Sequence, residues 1–136
     1  MSERLFTVEE AEELLVSIEP LARTIADNRR AVLHLTNDLI ALQEDARSDR
    51  KVEAATLLNK QTELDFLVRI INESLEAIEE MGAQPKDLDQ GLIDFPAILE
   101  GEPVLLCWKL GEESIRYYHS YEEGFAGRRP LQRVRS

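Results

Sequence analysis

The sequence predicts an α+β fold: a long antiparallel helical hairpin followed by a small antiparallel β-sheet and a basic tail. Three observations carry this. Apolar residues recur at heptad spacing along two stretches within residues 7–81. After Gly82 that period gives way to short apolar segments bounded by Gly, Pro and Asp. Aromatic residues make up only 6% of the 136-residue chain, which favours Leu, Ile, Val and Ala packing between helices over a large aromatic β core. The length suits one domain, residues 1–127, with the tail at 128–136.

The first helix starts at Thr7-Val8-Glu9-Glu10. Thr7 caps an exposed N–H and Glu10 reaches back, the reciprocal arrangement of a capping box. Glu9, Glu10, Glu12 and Glu13 then sit where the helix dipole favours negative charge. One seam position carries Ala11, Ile18, Ile25, Val32, Leu39 and Ala46; the other carries Leu14, Leu21, Asn28, Leu35 and Leu42. All but Asn28 are apolar, which is coiled-coil patterning. Unbroken from Thr7 to Ala46, such a helix runs roughly 60 Å. Pro20 falls inside it, and because the register continues through Pro20 a kink near Ser17–Pro20 is expected rather than two helices.

The polar stretch 44–51 reads as the turn. A second helix follows, with Ala54, Leu57, Gln61, Leu64, Val68, Ile71, Leu75 and Ile78 three and four apart. It stops at Met81-Gly82, where glycine suits a left-handed C′ position. Asn28 and Gln61 interrupt the seams and read as buried amides that specify register. Leu15, Ala22, Leu33 and Ile40, with Leu58, Phe66, Leu67 and Ile70, widen the apolar surface beyond one seam. Either the C-terminal third or a second copy covers that surface, and a homodimer that pairs two hairpins into a four-helix bundle is expected.

Beyond Gly82, segments 84–89 and 91–95 are short; Pro96 is expected to end the second, and Glu100-Gly101-Glu102-Pro103 to form a turn. Residues 104–109 and 114–119 read as a β-hairpin within a sheet spanning 84–119. An even loop puts Val104, Leu106 and Trp108 on one face with Ile115, Tyr117 and His119; an odd loop swaps the assignment.

Charge excludes several classes of function. Asp and Glu number 27 against 16 Lys and Arg, a net charge of −11, which argues against broad binding to nucleic acid or anionic membrane. No apolar stretch reaches a membrane span, and the N-terminus lacks a secretory pattern, so a cytoplasmic location is expected. Cys107 is the single cysteine and cannot form an internal disulfide. The tail differs: Arg128, Arg129, Arg133 and Arg135 occur there without an acid. They are where an RNA contact would arise, with pairing to the acidic body the plainer alternative.

Several of these segments carry a resemblance. Thr7-x-x-Glu-Ala11, Asp89-x-Gly-Leu-Ile-Asp-Phe-Pro96, Val104-x-Leu-Cys-Trp-Lys-Leu-Gly-Glu112, Tyr118-His119 and Gly124-Phe-Ala-Gly-Arg128 resemble the bacterial family catalogued as domain of unknown function 2203. The resemblance covers nearly the whole chain. It implies a small bacterial cytoplasmic protein of unassigned activity and transfers no catalytic role to any residue.

Asp94, Trp108, Glu112, His119 and Arg128 form the candidate ligand- or partner-binding set. Asp94, Glu112 and His119 have the oxygen and nitrogen atoms for a divalent metal or an acid–base group. Against that stand structural roles: a turn acceptor, a loop residue and a hydrogen-bonded histidine at the sheet end. There is no HExxH, no paired histidine and no glycine-rich phosphate loop, and His34 is expected on the outer side of the first helix. No catalytic residue, metal ligand or cofactor is therefore assigned. Cys107 and Trp108 read as packed residues, and Arg128 as half of an ion pair. The function expected is a non-catalytic protein–protein interaction or scaffold module. The alternatives are an RNA- or ribosome-associated factor using the arginine tail and a small metal-dependent enzyme around Asp94 and His119.

Overall fold

The computed structural model describes residues 4–47 and 53–132. Helix α1 (Val8–Arg47) is a single element of 40 residues with Pro20 inside it. Its capping box forms: Glu10 N donates to Thr7 Oγ1 at 3.1 Å, and Thr7 N donates to Glu10 Oε1 at 3.0 Å. The carbonyl that Pro20 leaves without a helical donor belongs to Val16, an exposed residue, where water can take the bond. Of the polar stretch expected as a turn, Glu44–Arg47 is helical, and residues 48–52 lie outside the described part.

Helix α2 (Ala54–Glu80) ends as its sequence demands. Gly82 has φ +95°, and a Cβ there would crowd the Arg4 side chain at 2.9 Å. The two seam amides do not specify a buried register. Asn28 Nδ2 donates to its own helix at Thr24 O, 2.8 Å, and Gln61 is exposed and bonds Asp65. His34 is exposed, as expected.

Five antiparallel strands follow in the order β1–β2–β3–β4–β5: Gln84–Asp87, Leu92–Leu99, Glu102–Lys109, Tyr117–His119 and Arg129–Pro130. The main hairpin is β2–β3, closed by Glu100 and Gly101 with φ of +50° and +80°, the pair of positive values a tight two-residue hairpin turn uses. The turn is thus shorter than expected, and Glu102 and Pro103 belong to β3. Pro96 does not end β2. It pairs with Leu105 on β3 and lies beyond the reach of β1, whose register stops at Asp94. On that unpaired side the Pro96 carbonyl accepts Phe6 N at 2.7 Å, so the absent proline N–H costs no ladder bond. The boundary expected at residue 127 falls inside the sheet, because Tyr118 pairs with Arg129 on β5.

Cross-strand partners share a face. Ile93 opposite Trp108, Phe95 opposite Leu106 and Ala97 opposite Val104 form the inner face. They pack with Ala11, Leu15, Ile18, Ala22, Ile25, Ile71 and Ile78 of the helices, together with Ile115. Leu15 and Ala22 are buried while Leu14 and Leu21 are half-buried, because the sheet occupies that flank of α1. The Phe6 ring meets Phe95 edge-on, centroids 5.4 Å apart.

The β3–β4 register is the odd one. Leu105 pairs with His119, Leu106 with Tyr118 and Cys107 with Tyr117. His119 therefore does not share a face with Trp108; it lies on the opposite face with Leu105 and Cys107. Because side chains alternate strictly, one residue of loop length reverses every assignment on the strand.

Candidate functional site

The outer face of the sheet is buried too. Leu92, Asp94, Pro96, Leu105, Cys107 and His119 are all enclosed. Tyr121, Gly124 and Phe125, from the segment after β4, close over this face with Lys86 of β1 and leave a cavity of about 120 Å³. Three neighbouring strands each contribute one reactive group to it: Asp94 from β2, Cys107 from β3 and His119 from β4. They are 2%, 1% and 3% exposed.

The hydrogen bonds determine where one proton sits. His119 Nδ1 lies 2.7 Å from Ser120 O, and a carbonyl only accepts, so Nδ1 carries hydrogen. His119 Nε2 lies 3.0 Å from Asp94 Oδ2, and a bond there needs one shared proton, on the carboxyl or on the imidazole. Burial pushes the Asp94 carboxyl upward, against the opposing pull of His119, the Cys107 thiol and Lys86. Burial, with the adjacent Asp94 charge, pushes the Cys107 thiol up to about 12. Unassisted, this cysteine is a neutral thiol and no nucleophile. One ligating atom from each of Asp94, Cys107 and His119 lies within 4.8 Å of the others, the group of this kind found among the described residues.

The remaining expected site residues gather on the loop side of β3. Glu112 Oε1 accepts Lys109 N at 2.7 Å, and Trp108 Nε1 donates to Glu112 O at 2.8 Å. Arg128 grips Glu112 with both terminal nitrogens, at 3.0 and 2.6 Å, and also donates to Cys107 O at 3.1 Å. Its guanidinium lies over the rings of Tyr117 and Phe125, 4.2 and 4.8 Å from their centroids. Arg129 pairs with Glu123; Arg133 and Arg135 lie outside the described residues.

The expected convergence of Asp94, Glu112 and His119 thus needs correction. Asp94 and His119 meet, Glu112 is held apart by Arg128, and the third member is Cys107. The two clusters touch at Cys107, whose side chain faces the cavity and whose carbonyl anchors Arg128. Pairing Asp94 with Cys107 in the β2–β3 ladder was the signal that could have found it, and the tight turn at Glu100-Gly101 sets that ladder.

The fold and site together define an α+β protein: a helical hairpin on one face of a five-stranded meander, and a buried carboxyl–imidazole–thiol cluster on the other. The chain belongs to the family described as "Uncharacterized conserved protein (DUF2203)", whose model matches residues 4–131. Searches of curated proteins and of solved structures gave no match. No helix among the described residues is long and apolar enough to cross a membrane.

Proposed function

We propose that the protein is a non-catalytic interaction module that works as a homodimer, using the half of the helical hairpin that extends past the sheet. One observation carries this reading. Leu33 stands eighteen residues after Leu15 and Ile40 eighteen after Ala22, about five full turns of helix. Each pair therefore lies on one line along the same flank of α1. Leu15 and Ala22 are 8% and 3% exposed, covered by the sheet, whereas Leu33 and Ile40 are 60% and 49% exposed. The stripe that binds the sheet runs on uncovered, and α2 adds exposed Leu58 and Phe66 on the same half of the hairpin.

The occupant that fits is a second copy of the chain. Two ion pairs within the hairpin flank this half, Asp27 with Arg30 and Asp38 with Lys60, so identical surfaces meet as an apolar strip with both signs of charge beside it. A two-fold axis between them makes the contact self-complementary. The arginine-tail reading draws no support from Arg128 and Arg129, whose guanidiniums are held by Glu112 and Glu123. Sedimentation equilibrium at tens of micromolar tests the proposal. Wild type is expected to be a dimer, and the double variant Leu33→Glu, Ile40→Glu a monomer of unchanged helicity. A monomeric wild type ends the reading.

A further inference from the structure

We propose that Asp94, Cys107 and His119 bind a divalent cation of the zinc type, leaving one coordination position open to the cavity beneath Tyr121 and Phe125. This goes beyond the interaction role, which rests on the opposite side of the molecule.

The donor set comes first. A carboxylate oxygen, an imidazole nitrogen and a thiolate sulfur together suit Zn²⁺ and its neighbours in the first transition row, not Ca²⁺ or Mg²⁺, which take oxygen. The spacing is close to what a tetrahedral site needs. At typical zinc bond lengths, ligand atoms sit roughly 3.3–3.6 Å apart. His119 Nε2 and Asp94 Oδ2 are 3.0 Å apart, and the three groups lie within 4.8 Å. Shifts of about 1 Å or less complete the geometry around an ion of that size.

His119 is prepared for a metal in a second respect. Its Nδ1–H is held by the Ser120 carbonyl at 2.7 Å, which aims Nε2 at the cluster. Metal-bound imidazoles are held in this way through the nitrogen that does not ligate. Cys107 is anchored likewise, since Arg128 donates to its carbonyl at 3.1 Å while gripping Glu112. The ligands stand on three hydrogen-bonded strands, so their backbones are fixed before any ion arrives.

Charge and protons balance. On binding, the proton shared by Asp94 and His119 and the proton on the Cys107 sulfur both leave to solvent. Bonds from the cation to Oδ2, Nε2 and Sγ take their place. A dipositive ion with one carboxylate and one thiolate gives a neutral buried centre, which removes the cost of burying either anion alone. Three protein ligands with a fourth position facing a cavity is the arrangement of an open zinc site rather than a closed structural one. A cavity of about 120 Å³ lined by Lys86 and Tyr121 has room there for water or a small anionic ligand.

Cobalt(II) reads this directly in the full-length protein after chelator dialysis. The expected result is a near-ultraviolet sulfur-to-cobalt charge-transfer band with tetrahedral visible bands, saturating at equimolar metal and erased by added Zn²⁺. Cys107→Ser should lose the charge-transfer band but remain folded, as serine nearly matches cysteine in size. Asp94→Ala and His119→Ala should weaken binding by more than about tenfold, the loss that removal of even an outer-shell partner can produce. Wild type without the band at excess cobalt overturns the site and requires no variant to fold. A band that persists in Cys107→Ser also overturns it, since the sulfur would then not be the ligand.

Discussion

Asp94 and His119 meet across a strand that lies between them. They stand on β2 and β4, on either side of β3, yet Asp94 Oδ2 and His119 Nε2 are 3.0 Å apart. Both side chains leave the outer face and close over the backbone between Leu105 and Cys107. This bridge ties the two outer ladders of the sheet together by side chains where the backbone alone joins them only through β3.

Unequal effects are therefore expected from two substitutions at the bridge. His119→Ala strands a buried carboxyl and should cost about 1–3 kcal/mol. Asp94→Asn keeps a donor toward Nε2 and an acceptor for the Cys107 thiol, and should cost less than His119→Ala. Urea unfolding in the presence of chelator measures both, and equal losses would contradict the one-proton arrangement.

Arg128 should behave as the bolt of the C-terminal third. Its partner Glu112 also carries the carbonyl that accepts Trp108 Nε1–H. Arg128→Ala should lose about 1–3 kcal/mol and shift Trp108 fluorescence. Arg128→Lys should recover only part of this, because a lysine cannot grip a carboxylate through two nitrogens or stack flat on two rings. Chemical denaturation followed through Trp108 reads stability and environment together.

Leu15 and Leu33 provide a matched pair on one line of α1. Leu15→Ala opens a void under the sheet and should cost about 2–5 kcal/mol. Leu33→Ala should leave the monomer within about 0.5 kcal/mol of wild type while weakening self-association. Unfolding at low protein concentration and sedimentation at high concentration separate the two effects.

Acid should loosen the start of α1. Hydrogen bonds from the Thr7 backbone and side chain hold the Glu10 carboxyl below its ordinary value of 4.5. A depressed carboxyl stabilises the fold above its unfolded pKa, and that contribution is lost as pH falls through the lower folded value. Glu10→Gln keeps an oxygen for the capping box but cannot ionise. Its stability deficit against wild type should be full at neutral pH and shrink below about pH 4.5; thermal melts across that range check the sign.

The helical hairpin and the change of architecture at Gly82 were legible because their determinants are local. Thr7 and Glu10 are three residues apart, the seams repeat within a turn or two, and Gly82 acts through its own φ. The site was half legible. Asp94 and His119 stood out as polar residues amid apolar strands, but Cys107 looked like packing until it was paired with Asp94. Glu112 looked like their neighbour until Arg128, sixteen residues away in sequence, claimed it.

By itself, then, the sequence determined the start of α1, the end of α2, the α+β order and the apolar stripes, all consequences of interactions spanning three or four residues. Only the tertiary structure decided which face His119 takes, since the parity of a loop reverses a whole strand without altering its composition. It also decided that Pro96 stays within β2, because β1 ends before reaching it and Phe6 supplies a donor from the far end of the chain. Leu15 and Leu33 make the same point on a helix. Their positions on α1 are equivalent, and one is buried while the other is exposed only because the sheet is shorter than the helix it packs against.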